Sequence, residues 1–234
     1  MQGSMFSYSP NGAMVKEGLA TTLRQAIISG ALQPGKPIVE GKWARKLNVA
    51  QTSIREALNI LVNEGFVQKE PGRSATVTVL NATDLAHIYR VRGRLESLAA
   101  RLVVEAKPDL SDLEQAIADM RAAAECGNAE EFYRRDFAFH LLVCQKSGNP
   151  FLEQSVRRLV GPLFAFAVMR IHARHHGLEE LRRSVEQHRA MLHALRTDDP
   201  AVAERVFASA IEDFAVATRE MIGGGDAADI ATGA

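Results

Sequence analysis

The sequence predicts a mainly α-helical chain in two parts: an N-terminal winged helix-turn-helix with a small β-hairpin, then a C-terminal antiparallel bundle of about six helices. Three observations carry this. Within LNVAQTSIREALNILVNEGFVQK, apolar residues recur at helical spacing, at Ile54, Leu58, Leu61 and Val62. Just after it, two β-rich runs, 66–70 and 75–79, flank the turn signal Pro71-Gly72. Beyond residue 83 strand-like alternation gives way to helical periodicity with clear start and stop signals.

Taken in order, residues 15–29 form the first helix, closed by Gly30, and Leu32-Gln33-Pro34-Gly35 turns the chain. A second helix covers 39–46, with Trp43, Ala44 and Leu47 on one side, and Asn48-Val49 is the short turn into a third helix at 51–64. Gly65 stops that helix because glycine takes the left-handed conformation without steric cost. The polar face of the third helix carries Gln51, Thr52, Arg55 and Asn59, short donors and one cation suited to base edges and phosphates. Taken alone it is an ordinary amphipathic helix; its neighbours make it half of a helix-turn-helix, with Gly72 and Arg73 near the tip of the wing. In the junction Asn81-Ala82-Thr83, Thr83 is the expected cap of a helix starting at Asp84. Bundle helices are predicted at 84–107, 112–126, 129–147, 151–176, 178–196 and 200–222. Their punctuation is Pro108, a Ser111-x-x-Glu114 capping box, Gly127, Gly148-Asn149-Pro150, Gly177, and Asp199-Pro200 as cap and first turn. The domain division is 14–80 and 81–224, with flexible ends at 1–13 and 225–234.

The net charge of zero conceals an asymmetry. Residues 1–80 hold nine Lys/Arg against five Glu, leaving nineteen basic and twenty-three acidic residues for the remainder of the 234. A basic head on an acidic body fits a DNA module joined to something that does not touch DNA. Two cysteines, Cys126 and Cys144, imply no disulfide framework. No apolar run approaches the roughly 20 residues of a membrane span, and no secretory signal is seen, so the expectation is a cytoplasmic protein with no membrane partner.

The segment LRQAIISGALQPGKPIVEGKWARKLNVAQTSIREALNILVNEGFV resembles the DNA-binding domain of the GntR family of bacterial transcription regulators. Matching pieces include Leu23-Arg24, Pro34-Gly35, Val39-Glu40, Ala44, Leu47, Val49, Thr52, Arg55-Glu56-Ala57-Leu58 and the run from Leu61 to Val67. The chain departs from the family's pattern at Gly41, usually Arg and here followed by Lys42; at Ala50-Gln51-Thr52-Ser53, usually Ser-Arg-Thr-Pro; and at Ser74, usually glycine. Two cations expected at DNA are therefore absent, and Gln51 would read adenine where arginine reads guanine. The resemblance implies DNA contacts from Lys42, Gln51, Thr52, Ser53, Arg55, Gly72 and Arg73.

The remainder resembles the effector (FCD) domain of the FadR-type subgroup, through Arg92-Gly93-Arg94-Leu95-Glu96, Ala99-Ala100, Asp136-Phe137-Ala138-Phe139-His140, Gly148-Asn149-Pro150, Leu152, and Asp199-Pro200 with Ala203. Many relatives hold a divalent metal there through one Asp and three His, with a small carboxylate beside it. Asp136 and His140, four apart, project from one helix face and suit a borderline metal. The family's pattern makes His188 the next ligand, and the fourth position is occupied by Ala210. The expectation is one zinc, nickel or manganese ion on Asp136, His140 and His188, completed by water or effector; a metal-free polar pocket stays open. Arg92 matches the arginine that holds the anionic ligand, as its planar fork pairs with a carboxylate, although an Arg92–Glu96 surface pair is as good a reading of the spacing. His172, His175 and His176 read as solvent-facing, His193 as off the face of His188, His87 as near the junction, and Phe132, Phe137, Phe139, Phe151, Phe164, Phe166 and Phe207 as core or subunit interface.

The resemblance implies a homodimer on double-stranded DNA, commonly a repressor, whose small organic acid effector binds between Arg92 and the Asp136, His140 and His188 cluster and resets the two heads. Two other readings stay open: a metal-dependent hydrolase on the same three residues, which no catalytic fingerprint supports, and a regulator with lost or weakened DNA binding.

Overall fold

The computed structural model describes residues 12–171 and 178–223. His172, His175, His176 and Gly177, with most of the two ends expected to be flexible, lie outside the described residues. The chain divides between Thr78 and Val79 into two compact units.

The first unit is built as α1 (Gly12–Ile28), β1 (Pro37–Ile38), α2 (Glu40–Leu47), α3 (Gln51–Asn63), β2 (Val67–Gln68) and β3 (Ala75–Val77). Where α1 packs on α3, Leu23 and Ile27 meet the periodic face of Ile54, Leu58 and Leu61, all fully buried. Each such side chain contributes about 1.5–3 kcal/mol of transfer free energy. Val62 ends half-buried at the edge of this face. Arg24 closes the join with a two-pronged pair to Glu64, whose oxygens both lie 2.8 Å from Nη2. The tight turn between α2 and α3 uses Asn48 at φ 52°, and Gly65 at φ 81° ends α3 as its residue type requires. The hairpin forms, pairing Val67 with Val77. A third strand, β1, joins β3 with Pro37 opposite Thr76. Two residues, one of them proline, are too few to show alternation, so β1 left no period to read. Helix α1 begins at Gly12, inside the stretch expected to be a flexible end.

The second unit contains α4 (Ala82–Ala106), α5 (Ser111–Glu125), α6 (Ala129–Lys146), α7 (Pro150–Ile171), α8 (Leu178–Leu195) and α9 (Pro200–Gly223). Helix α4 runs along α9 and also touches α6 and α7, while α5 packs on α6 and α8. Leu113, Met120, Phe132, Phe139 and Phe207 are fully buried in the shared core. Two caps differ from expectation. Asn81, not Thr83, caps α4, in a reciprocal box with Asp84. Ser111 is the first helical residue of α5 rather than its cap; Asp109 accepts its backbone N–H at 3.0 Å. Asp199 caps α9 as expected, accepting from the Ala201 N–H. Of the phenylalanines assigned to core or interface, Phe151 is 77% exposed and Phe137, Phe164 and Phe166 are only partly buried.

Candidate functional site

In the first unit, the start of α3 presents Gln51, Thr52 and Arg55 to solvent with Ser53 half-buried; Lys42 on α2 is also exposed. Gly72, at φ 75°, and Arg73 stand exposed on the wing turn. What holds Arg55 and Gln51 is not legible in residue spacing. Glu40, the first residue of α2, accepts Arg55 Nε at 3.1 Å and Nη2 at 2.9 Å, Gln51 Nε2 at 3.2 Å, and an ion pair from Lys69 at 3.6 Å. Arg55 is thus pre-oriented across the top of the helix pair rather than free. Its hydrogen bond, outweighing burial, holds the Glu40 carboxyl below the usual range. At the wing Arg73 pairs with Glu70 at 2.7 Å.

In the second unit Asp136 and His140, one turn apart on α6 as their spacing predicts, meet His188 of α8, the residue that the family resemblance implied. Their ligand atoms lie within 4.8 Å of one another. The His188 ring points Nδ1 at the Ser184 carbonyl, 2.7 Å away, so Nδ1 carries the proton and Nε2 a lone pair in the neutral ring. His140 points Nδ1 at Glu96 Oε2, 2.5 Å away, which assigns the same tautomer. Both bare Nε2 atoms turn inward, 3.3 Å apart, and Asp136 Oδ1 lies 3.0 Å from that of His188 and 3.9 Å from that of His140. Three acceptors therefore converge with each ring anchored on its far side by a protein acceptor. That is the donor set and outer-shell arrangement a divalent ion of borderline softness requires. The residues present fit such an ion through three protein donors, and Ala210, where the family resemblance implied a fourth, has no donor to offer.

Glu96 is the residue the sequence reading missed as a member of the site. Fully buried, it accepts Arg92 Nε at 2.5 Å through one oxygen and faces His140 through the other. The Arg92–Glu96 pair foreseen on the surface is thus an interior one, with side chains 4% and 0% exposed. Burial alone would raise the Glu96 carboxyl, but Arg92 and His140 more than offset it and it stays below the ordinary range. Burial would lower the Arg92 guanidinium, and Glu96 reverses the sign. For Asp136, burial works upward and His188, His140 and Arg92 win, holding it to about 2. His140 is pushed down, by burial first, so its neutral form is favoured. Phe214 of α9, one turn beyond Ala210, lies over His188 with ring centres 5.3 Å apart and presents an edge to His140 at 6.0 Å.

A small cavity of about 50 Å³, partly open to solvent, adjoins the cluster between α4, α6 and α7. Arg92, Asp136, Tyr89, Tyr133 and Thr218 are its polar lining residues, and Phe137, Phe164 and Phe166 are among its apolar ones. Phe137, packed against the core as expected, also lines this cavity, together with the partly buried Phe164 and Phe166. Arg92 Nη2 is buried there without a hydrogen-bond partner. A larger depression near Lys107 and Thr197 is lined by surface ion pairs, Lys107–Asp198 and Arg196–Glu114, and gathers no such convergent group.

Residues 15–77 match the family model described as bacterial regulatory proteins, gntR family, and residues 87–213 match that of the FCD domain. The HTH-type transcriptional regulator McbR of Escherichia coli K12 is 29% identical over 182 residues, covering 76% of this chain and 80% of the relative. The gluconate operon transcriptional repressor of Bacillus subtilis is 27% identical over 187 residues (79% and 76%), and the Glc operon transcriptional activator of E. coli K12 28% over 211 (81% and 83%). Among solved structures, that of E. coli McbR/YncC superposes with a TM-score of 0.74 at 24% identity over 89% of this chain and 98% of that one. A putative GntR regulator from Rhodococcus sp. RHA1 gives 0.66 at 21% identity over 92% and 100%.

Proposed function

Because the chain belongs to the GntR family of bacterial regulatory proteins and carries its FCD domain, we propose that it is a repressor that binds operator DNA as a homodimer and is released by a small organic acid held beside a divalent metal in the helical bundle. It is a transcription regulator and not an enzyme: both matched family models and the relatives are those of regulators. In this reading residues 14–80 are the DNA-binding domain, 81–224 the effector-binding and dimerisation domain, and the protein works in the cytoplasm, where its operator is.

The observation that carries the proposal is the inward convergence of three acceptors beside an arginine with a spare buried N–H. Among the described residues lining the cavity the guanidinium of Arg92 stands with the carboxylate of Asp136, and Arg92 is already paired with Glu96. An anion would be repelled there without a further positive charge. Asp136, His140 and His188 would hold a divalent ion that would supply that charge and a Lewis-acidic position for a ligand oxygen. Arg92 Nη2 then orients the carboxylate, Glu96 holds Arg92 and fixes the His140 tautomer, and Ser184 does the same for His188. Val91 and Leu98, seven residues apart on one face of α4 and both exposed, offer an apolar stripe for pairing two bundles. Twofold pairing puts two α3 helices in register with a pseudopalindrome.

Fluorescence anisotropy on the DNA immediately upstream of its own reading frame tests the DNA half. Specific binding that weakens steeply with salt is the expected result, with log K falling by about 0.9 per log unit of salt for each phosphate neutralised. Binding equal to that of scrambled DNA would favour a regulator without its DNA function, the reading that Gly41 and Gln51 motivate.

A further inference from the structure

Glu40 is an acid at a surface that is to meet phosphates, and it is fully engaged there. Its carboxylate accepts from Gln51 and from Arg55, which lie one turn apart on α3, and pairs with Lys69. One negative charge thus stands against two positive ones, so the cluster as a whole still attracts a duplex.

A carboxylate has no hydrogen to donate, so it fixes which way each neighbour turns. The Gln51 carboxamide can face it only with nitrogen, and Nε2 lies 3.2 Å away. The Gln51 oxygen is turned over α2 instead, 4.0 Å from the point where a Cβ on Gly41 would stand. A side chain longer than alanine at 41 would compete for that space, so the bare backbone of Gly41 is what leaves the oxygen uncovered. Arg55 is turned in the same way. Its Nε and Nη2 are spent on Glu40 at 3.1 and 2.9 Å, and among the described residues Nη1 has no acceptor.

What the two side chains still offer differs in kind. Arg55 offers donors alone, whereas Gln51 offers one acceptor and one remaining N–H. In the major groove guanine presents two acceptors, N7 and O6, and adenine presents an acceptor at N7 and a donor at N6. A glutamine with both hydrogens free can give both to guanine. With one hydrogen held by Glu40 it cannot, and adenine is the purine that satisfies what is left. Residues four apart rise about 6 Å along a helix, so the two readers fall within about two base-pair steps of each other.

We propose that Glu40 is a positioning residue for base recognition: holding one Gln51 N–H beside Arg55, over the space that Gly41 leaves, it makes the head select an A·T pair through Gln51 close to a G·C pair through Arg55. This rests on the reading of the first unit as a DNA-binding head.

Selection of bound duplexes from a randomised library by the full-length protein, followed by sequencing, tests it. Gln51→Ala locates the base pair concerned, as the one whose preference disappears. Wild type is expected to favour adenine over guanine there by roughly 5- to 150-fold, and Gln51→Arg to move the preference to guanine. Glu40→Ala is expected to admit guanine at that pair, cutting the preference fivefold or more while flanking positions keep theirs. Glu40→Gln, which preserves the shape of the side chain, guards against a folding defect; its own N–H invites the Gln51 oxygen, so the adenine preference is expected to narrow there too. A Glu40 role confined to stability would weaken all duplexes alike and leave the selected pattern unchanged, which would overturn the inference. Guanine selected by wild type at the Gln51 pair, or no pair responding to Gln51→Ala, would also overturn it and leave the DNA-binding reading standing. A wild-type protein that enriches no sequence would overturn both.

Discussion

Glu96 is the side chain on which the interior of the bundle turns, and its removal has a calculable signature. In Glu96→Ala the Arg92 guanidinium, 4% exposed, loses its ion-pair partner, and the His140 Nδ1–H loses its acceptor. Breaking a buried pair from one side costs about 3–5 kcal/mol because the surviving charge is left in a poor solvent. For a chain of this size each kcal/mol moves the melting temperature by roughly 2–4 °C, so the variant should melt about 6–20 °C below wild type. Replacing both partners, as Arg92→Met with Glu96→Leu, removes the stranded charge and should recover most of that loss, leaving mainly the unmatched His140 N–H at about 1–3 kcal/mol. Calorimetry of the three proteins without metal, with urea unfolding as the second measure, reads both numbers. A Glu96→Ala loss under about 1 kcal/mol, or a double variant no better than the single one, would refute the claim that Arg92 and Glu96 form an interior charged pair.

Three further outcomes follow from named contacts. Arg55→Ala should abolish specific DNA binding while leaving helix content and oligomeric state as in wild type; unchanged binding would mean that another surface meets DNA. His188→Ala takes one of three donors from the cluster, so wild type at a hundredfold excess of zinc over Kd should gain about 2.7 kcal/mol of stability and the variant almost none. Elemental analysis of both proteins is the independent check, and absence of any zinc, nickel or manganese effect on wild type would defeat the metal assignment. Glu40 has its folded-state pKa lowered, chiefly by the Arg55 hydrogen bond, so its contribution is present above its unfolded value near 4.3 and fades as pH falls through the lowered value. With Arg55 half exposed, the stability difference between wild type and Glu40→Gln should stay below about 1 kcal/mol at pH 7 and shrink towards pH 3.5; a difference that grows on acidification would give Glu40 the opposite sign.

The legible part of the fold was the part with a period. Helix α3 and the six bundle helices repeat their apolar residues often enough, between glycines and prolines placed at their ends, to be located from residue types. Strand β1 has two residues and no repeat. The capping choice between Asn81 and Thr83 turned on where the first helical turn closes, a matter of one or two residues. In the site, Asp136 and His140 share a helix face and could be paired by counting, and the family pattern brought in His188. Glu96 was in plain view beside Arg92, yet i,i+4 spacing is the same for a solvent-facing pair and a buried one; only the packing of α4 against α6 and α9 decides. The cavity lining was hidden for a related reason. Phe137 and Phe164 have the composition of core, and whether such residues close on one another or also border a cavity depends on helices far apart in sequence. Glu40 meets Arg55 and Gln51 across the helix-turn-helix, a contact that no single periodic segment displays.

The central claim is coupling between bundle and head, and one titration tests it most directly. Operator affinity of the zinc-loaded protein, measured by anisotropy with and without a saturating small carboxylate, should fall by roughly 5–150-fold, and Arg92→Gln should keep the unliganded affinity while losing the response. An operator affinity that stays the same while calorimetry shows the carboxylate bound would contradict it.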